Sequence, residues 1–170
     1  MQKKSDINWI GDKFPLLHQE FKWICERFPS AYYLYIVRNP FSIIESSEVR
    51  KKNENDSYDY DYKTILSIWN ESLQLVCSLS PMQMTKIKII VYEDFFNSVP
   101  SINEVIASIT GHSLPLDVVT RFVDKYHSLK EKQVPRQEDL RYYVSKYADW
   151  KSYNRVCELS NSSAEQWHGK

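Results

Sequence analysis

The spacing of apolar residues along the chain predicts alternating helices and strands. Over residues 14–28 and again over 63–79, apolar side chains recur at the three- and four-residue intervals of a helix. Residues 32–37 (YYLYIV) and 88–92 (KIIVY) are short apolar runs, which predict strands; the first is expected to be buried on both faces, as in a parallel sheet. The remaining predicted elements are helices over 40–52, 102–109 and 116–126 and a helical turn over 93–98.

The order of these elements predicts an α/β fold with a parallel sheet. Polar segments over 1–12, 53–62 and 128–138 are expected to be loops, and the weakly patterned tail is expected to fray over 159–170. The chain is therefore predicted to form one domain over residues 1–158. Two strands are fewer than the usual four to six or so, so either further strands escape the pattern or the chain is part of a larger unit.

The composition makes some classes of binding partner less favourable for this protein. The 22 basic and 22 acidic residues among 170 give a formal net charge of +0, which disfavours bulk electrostatic binding to nucleic acid or to an anionic membrane. Neither a signal peptide nor a long apolar stretch is visible, so we expect a cytoplasmic chain without a membrane segment. The three cysteines, an odd number without a CxxC pair, are expected to be buried thiols in a reducing compartment, and no cluster has metal-ligand spacing.

Glycine is scarce, and this excludes two kinds of phosphate loop. The chain holds three glycines, where average usage of about 7% would give roughly twelve. A GxGxxG dinucleotide fingerprint and a GxxxxGK[ST] loop both need glycines close together. Neither is present, so a kinase-like nucleotide site is disfavoured.

A different anion site is predicted where the first strand meets a helix. The strand ends at Arg38, Asn39 is a favourable N-cap, and Pro40 suits the first helical position. Helix N-termini attract phosphate, and an arginine adds a bidentate fork of donors. Ser46 lies nearly two turns beyond Asn39, on the face below the cap. The alternative is an ordinary helix start with a surface serine.

These residues resemble a segment of the sulfotransferases that use 3′-phosphoadenosine-5′-phosphosulfate. In that family an apolar strand leads to Arg-x-Pro, with a serine eight residues after the arginine, as Arg38, Pro40 and Ser46 are spaced here. Three further landmarks follow the family's order. They are the segment 11–15 (GDKFP), which resembles a turn of bacterial-type and tyrosylprotein-type members, the strand end 91–95 (VYEDF) and the helix end 109–111 (ITG).

The resemblance implies a P-loop-NTPase-like sulfotransferase fold, a three-layer α/β/α arrangement with a parallel sheet. Family members begin with a strand and a glycine-containing loop for the 5′-phosphosulfate, and that loop is missing here. The fold is therefore expected to be N-terminally incomplete. A C-terminal family segment that covers the 3′-phosphate is matched only by Asp149, Trp150 and Lys151, without its Arg-Lys-Gly and second glycine.

The resemblance also implies roles. Arg38 and Ser46 would bind the 3′-phosphate of the donor, and Lys13 would act as the catalytic cation at the bridging oxygen or sulfuryl group. An acceptor hydroxyl or amine would attack sulfur while the 5′-phosphate leaves, which requires charge stabilisation and a base. The acceptor stays open: carbohydrate, protein tyrosine or small molecule.

Several other residues could have either a functional or a structural role. His18, Glu45 and Glu48 are weak candidates for the base, and Lys151 is a distant phosphate candidate. Solvated or structural roles are favoured for these four, and for Tyr92, Glu93 and Asp94. Trp23, Trp69 and Trp150 are expected in the core. Because the loop and a clear base are missing, a catalytically inactive nucleotide-binding or interaction module, or a truncated gene product, is the alternative to an active sulfotransferase.

Overall fold

A computed structural model describes residues 11–13, 16–52, 59–95, 99–131 and 137–167. The sequence-based expectations for 1–10, 14–15, 53–58, 96–98, 132–136 and 168–170 lie outside these residues. The elements are α1 (Leu17–Arg27), β1 (Tyr33–Val37), α2 (Pro40–Lys51), α3 (Tyr62–Ser78), α4 (Pro81–Met84), β2 (Ile87–Val91), α5 (Tyr92–Phe95), α6 (Val99–Thr110), α7 (Leu116–Glu131), α8 (Glu138–Tyr147) and α9 (Trp150–Trp167).

Local capping explains where several helices begin and end. The Asn39 side chain accepts a hydrogen bond from the backbone N–H of Phe41 at 3.0 Å, and Pro40 opens α2. The Asp61 carboxylate likewise accepts from the Thr64 N–H at the start of α3. At the end of α6, Gly111 has a φ of 73°, a left-handed conformation that glycine adopts without strain. The predicted cap at Asn39 and the predicted end at Gly111 are confirmed.

The two strands pair in parallel, in register from Tyr33 with Ile87 to Val37 with Val91. Helices cover one face of this sheet: the ring of Phe21 on α1 lies edge-on to Tyr33, with centroids 5.1 Å apart, and the Tyr35 hydroxyl shares a 2.9 Å hydrogen bond with Ser72 on α3. The core at this face also includes side chains from α2, α8 and α9. The predicted α/β class with a parallel sheet is confirmed.

The prediction that β1 is buried on both faces is wrong. Leu34 and Ile36, which alternate with the buried positions, are 47% and 58% exposed. In the neighbouring strand, Ile87–Ile90 are all buried. An apolar run reports residue type, whereas burial depends on what packs against it, and β2 is the only strand that pairs with β1 among the described residues. A three-layer arrangement is not seen in this part of the chain and stays a prediction.

Three helices were not predicted: α4, α8 and α9. The loop predicted over 128–138 is wrong for its first residues, because α7 continues to Glu131. The buried positions of α8 and α9 include Val144 and Val156, 1% and 0% exposed. Apolar and aromatic residues recur at helical spacing in both segments, and the prediction overlooked this period. The Ser160 hydroxyl donates to Ile89 O at 3.2 Å, so α9 lies along β2 beyond residue 158. The boundary at 158 stays a prediction.

Two further expectations about burial fail, at Trp23 and at Cys77. Trp23 is 60% exposed on α1, whereas Trp69 is buried and Trp150 is partly buried. Of the cysteines, Cys77 is exposed, and Cys25 and Cys157 are partly buried. Within the described residues, no helix is both long and apolar enough to cross a membrane.

Candidate functional site

The carboxyl ends of the two strands bring Arg38 and Tyr92 together. Because Val37 pairs with Val91, the next residue of each strand projects from the same edge of the sheet. The guanidinium carbon of Arg38 lies 4.6 Å from the centroid of the Tyr92 ring, a cation–π distance. This edge is where parallel α/β sheets bind their ligands. It is therefore the candidate site.

Two side chains from other elements hold the turn that carries Arg38. The Trp69 indole N–H, from α3, donates to Arg38 O at 3.1 Å. The Asn39 backbone N–H donates to Glu93 Oε1 at 3.0 Å, so the end of β2 is tied directly to the end of β1. With the Asn39 side chain capping α2, this turn is fixed by hydrogen bonds on several sides.

The guanidinium of Arg38 has donor capacity that no described contact uses. No carboxylate among the described residues forms an ion pair with Arg38, and its Nε is buried without a hydrogen-bond partner there. Glu93 Oε2 is also buried without a partner in the same set. Buried polar atoms are normally satisfied. The edge thus carries a cation with unused donor capacity, which suits an anionic group.

The start of α2 offers fewer free donors than the sequence suggested. Pro40 has no N–H, and Asn39 satisfies the N–H groups of Phe41 and Ile43, the second at 3.2 Å through its carbonyl. The N–H of Ser42 is left without a partner among the described contacts. Most of the donors for an anion here would therefore come from Arg38 and nearby hydroxyls.

Ser46 is partly buried on α2, two turns below the Asn39 cap. Its neighbour Ser47 is buried, and the Ser47 hydroxyl donates to Ile44 O at 2.7 Å. Ser47 is thus committed to the helix. No hydrogen bond or ion pair joins Ser46 to Arg38 in the described structure, so a phosphate-binding role for Ser46 stays a prediction.

Lys13 is exposed, and its backbone N–H donates to the adjacent Asp12 carboxylate at 2.7 Å. Phe14 and Pro15 of the predicted turn lie outside the described residues. Helix α1 ends beside the start of β1, where the Tyr33 hydroxyl donates to Phe28 O. A catalytic role for Lys13 stays a prediction.

Two of the three candidate bases, His18 and Glu45, lie beside other charged side chains, and the third, Glu48, is partly buried on α2. The side chain of His18 is 8% exposed, with Nε2 4.0 Å from Glu71 Oε2; burial lowers the pKa of His18, and the Glu71 carboxylate partly opposes this. Glu45 forms a 3.0 Å ion pair with Arg141 on α8. Neither residue has a described contact with Arg38.

Comparison with known proteins decides the family. A family model described as the sulfotransferase family matches residues 1–115. The chain belongs to the sulfotransferase family. Neither the search of curated proteins nor the search of solved structures found a match. The matched range includes every element of the sheet and of the Arg38 turn.

Sequence reasoning missed a polar and aromatic group that this sulfotransferase-family chain brings to the same edge from its C-terminal helices. The Tyr126 ring on α7 lies edge-on to Tyr92, with centroids 5.6 Å apart. On α9, burial raises the pKa of Tyr153, and its neighbour Cys157 and the Glu93 carboxylate raise it further. Tyr126 could have been noticed at the end of its predicted helix, and Tyr153 from the helical spacing of Trp150, Tyr153 and Val156.

The segment 149–151 has a structural explanation. The Asp149 carboxylate accepts the backbone N–H of Ser152 at 3.0 Å and so caps α9. Trp150 packs against Phe41, with ring centroids 5.6 Å apart. Lys151 is exposed. Asp149 and Trp150 thus have capping and packing roles, and no described contact joins Lys151 to the candidate site.

Proposed function

We propose that this sulfotransferase-family chain binds 3′-phosphoadenosine-5′-phosphosulfate at the carboxyl edge of its sheet, with Arg38 and Ser46 on the 3′-phosphate. The observation that carries this is the uncommitted guanidinium of Arg38 on a turn fixed by hydrogen bonds from Trp69 and to Glu93. A guanidinium matches phosphate in geometry and charge. The donor supplies the sulfuryl group for a hydroxyl or amine acceptor.

Lys13 is proposed as the catalytic cation in this reaction. An acceptor oxygen or nitrogen would form the new bond to sulfur while the bond from sulfur to the 5′-phosphate oxygen breaks, and the acceptor proton would pass to a base. A cation near the leaving phosphate stabilises the charge that develops there. The exposure of Lys13 leaves its ammonium group available for this role. Carbohydrate, protein tyrosine and small-molecule acceptors all fit this chemistry.

Calorimetry with two nucleotides tests the donor site. The wild-type chain and Arg38→Ala are titrated with 3′-phosphoadenosine-5′-phosphate and with adenosine 5′-phosphate, which lacks the 3′-phosphate. Hydrogen bonds to charged groups contribute about 1.5–3 kcal/mol each, and about 1.4 kcal/mol is tenfold in affinity. We therefore expect Arg38→Ala to raise the Kd for the first nucleotide about 10- to 100-fold and to leave the second nearly unchanged.

Arg121→Ala is the matched control, because Arg121 lies on the exposed surface of α7 and pairs only with Asp117 in the described structure. It removes the same charge without touching the site. Equal affinity of wild type and Arg38→Ala for 3′-phosphoadenosine-5′-phosphate would overturn the proposed site. So would an equal loss for both nucleotides, because Arg38 would then not distinguish the 3′-phosphate.

Nucleotide binding without turnover is the second candidate function. The observation that favours it concerns two of the three candidate bases: Glu45 pairs with Arg141, and the His18 side chain is 8% exposed beside Glu71. Release of 3′-phosphoadenosine-5′-phosphate from the phosphosulfate donor, measured with a panel of carbohydrate, tyrosine-peptide and phenol acceptors, separates the two. Acceptor-dependent release that falls in Lys13→Ala, with nucleotide affinity retained, supports the sulfotransferase.

A further inference from the structure

Glu93, which follows β2, contacts the turn that carries Arg38 through only one of its two carboxylate oxygens. Its Oε1 accepts the backbone N–H of Asn39 at 3.0 Å, across the gap between the two strand ends. Its Oε2 is buried without a partner among the described residues, as is the Nε of Arg38. A purely structural link needs one acceptor oxygen at this position. The carboxylate brings a second oxygen and a charge into a buried setting, which is unfavourable unless something there uses them.

The two unpartnered atoms are complementary. Arg38 Nε is a donor and Glu93 Oε2 is an acceptor, and the hydrogen bond from Asn39 N–H to Glu93 Oε1 joins the two chain segments that carry them. No ion pair between the two side chains forms among the described contacts, so the attraction acts over more than 4.0 Å. The guanidinium carbon of Arg38 lies over the Tyr92 ring, 4.6 Å from its centroid. Both charges also act on one neighbouring group: the Glu93 carboxylate raises the pKa of Tyr126 and Arg38 lowers it, against a larger increase due to burial. Glu93 is therefore within electrostatic reach of the same site as Arg38.

We propose that Glu93 is a positioning residue for Arg38. Its Oε1 fixes the backbone of the Arg38–Asn39 turn, and its Oε2 attracts the Nε side of the guanidinium. The two terminal Nη groups of Arg38 are thereby directed away from the protein, toward the anion. Glu93 itself does not touch the ligand. This inference rests on the proposed function, since the anion is taken to be the 3′-phosphate of the donor.

A double-mutant cycle tests whether Glu93 acts through Arg38. The wild type, Glu93→Ala, Arg38→Ala and the double variant are titrated calorimetrically with 3′-phosphoadenosine-5′-phosphate. We expect Glu93→Ala to raise the Kd about 5- to 30-fold in the presence of Arg38 and less than twofold in its absence, because a positioning residue has nothing left to position. The affinity for adenosine 5′-phosphate is expected to stay within twofold throughout.

Two conservative variants separate the contributions of the oxygens. Glu93→Gln keeps one oxygen to accept the Asn39 N–H but loses the charge that attracts Arg38 Nε, so we expect an intermediate increase in Kd of about two- to fivefold. Glu93→Asp is one methylene shorter and cannot span the same distance without a shift. We expect it to resemble Glu93→Ala, and it also supplies the measurement if Glu93→Ala does not fold.

The outcomes are distinct. An equal effect of Glu93→Ala with and without Arg38 would show a general structural role and overturn the proposal. So would an unchanged Kd in Glu93→Ala while Arg38→Ala weakens binding, a result that leaves the proposed function standing. If Arg38→Ala itself leaves the Kd unchanged, the proposed donor site fails, and the role of Glu93 at that site fails with it.

Discussion

Asp149 connects the start of α9 to α3, and its removal gives the sharpest stability prediction. Its Oδ1 accepts the Ser152 N–H at 3.0 Å, its Oδ2 accepts from the Gln74 amide at 3.0 Å, and its own N–H donates to Asn70 Oδ1 at 2.8 Å. Asp149→Ala removes both carboxylate contacts and keeps the backbone contact to Asn70. The effect therefore isolates the side chain.

The expected loss follows from these two contacts. Replacing an aspartate N-cap by alanine costs about 0.5–2 kcal/mol. The contact with Gln74 is exposed and adds less than about 1 kcal/mol. We therefore expect Asp149→Ala to lower the free energy of unfolding by about 1–2 kcal/mol at pH 7. Asp149→Asn is the matched control, because asparagine caps about as well as aspartate, and we expect it to lose less than about 0.7 kcal/mol.

The difference between wild type and Asp149→Ala should depend on pH. The hydrogen bond from the Ser152 N–H lowers the pKa of Asp149 in the folded chain, with smaller contributions from Gln74 and Lys151 in the same direction, against an opposing effect of burial. A depressed folded pKa means that the ionised carboxylate stabilises the fold above the unfolded pKa of about 3.9. This contribution is lost as the pH falls through the folded pKa. The difference should be constant from about pH 5 to 7 and shrink below about pH 4.

Urea unfolding followed by far-ultraviolet circular dichroism measures these differences. The wild type and both variants are compared at pH 7 and at about pH 3.5, with the free energies taken by linear extrapolation. An Asp149→Ala chain as stable as wild type at pH 7 would refute the capping argument. A difference that persists undiminished at the acid end would refute the electrostatic part alone.

Two further predictions concern stability away from the site. Leu73 on α3 is fully buried, so Leu73→Ala should lower the free energy of unfolding by about 2–5 kcal/mol, while Leu73→Met should cost less than about 1.5 kcal/mol; urea unfolding that finds the two variants equal would contradict the packing argument. Gly111 has a φ of 73°, so Gly111→Ala should cost about 1–2 kcal/mol by strain alone; Gly11→Ala, at a position with open space and no positive φ, should cost nothing measurable in the same assay.

The sequence predicted the part of the fold that local interactions determine. The cap at Asn39, the two strands and the glycine end of α6 all depend on neighbours a few residues away. The helices α8 and α9 depend instead on packing against α2, α3 and β2, which brings Val144 and Val156 into the core from sequences rich in polar residues. Both segments do repeat apolar residues at helical spacing, so these two helices were missed although the pattern was present.

The residues of the candidate site also fall into a group that local sequence predicts and a group that it does not. Arg38 was identifiable because the strand, the cap and the arginine are consecutive in the sequence. Its hydrogen-bonded neighbours were not, since Trp69 and Glu93 reach the turn from elements 31 and 54 residues away along the chain. Glu93 was expected to have a structural role, but its partner could not be named. Long-range placement of single side chains requires the sheet register, which no local pattern contains.

The exposed apolar face of β1 affects the choice between thermal and chemical unfolding as a measure of stability. Leu34 and Ile36 stand in a run, residues 32–37, that has no charge, proline or glycine. Short segments of this composition associate between molecules into cross-β structure once the surrounding helices detach. Heated chains would then be withdrawn irreversibly from the folding equilibrium, and a melting temperature would report a rate that varies with scan speed and protein concentration. Reversible chemical unfolding at low protein concentration avoids this route.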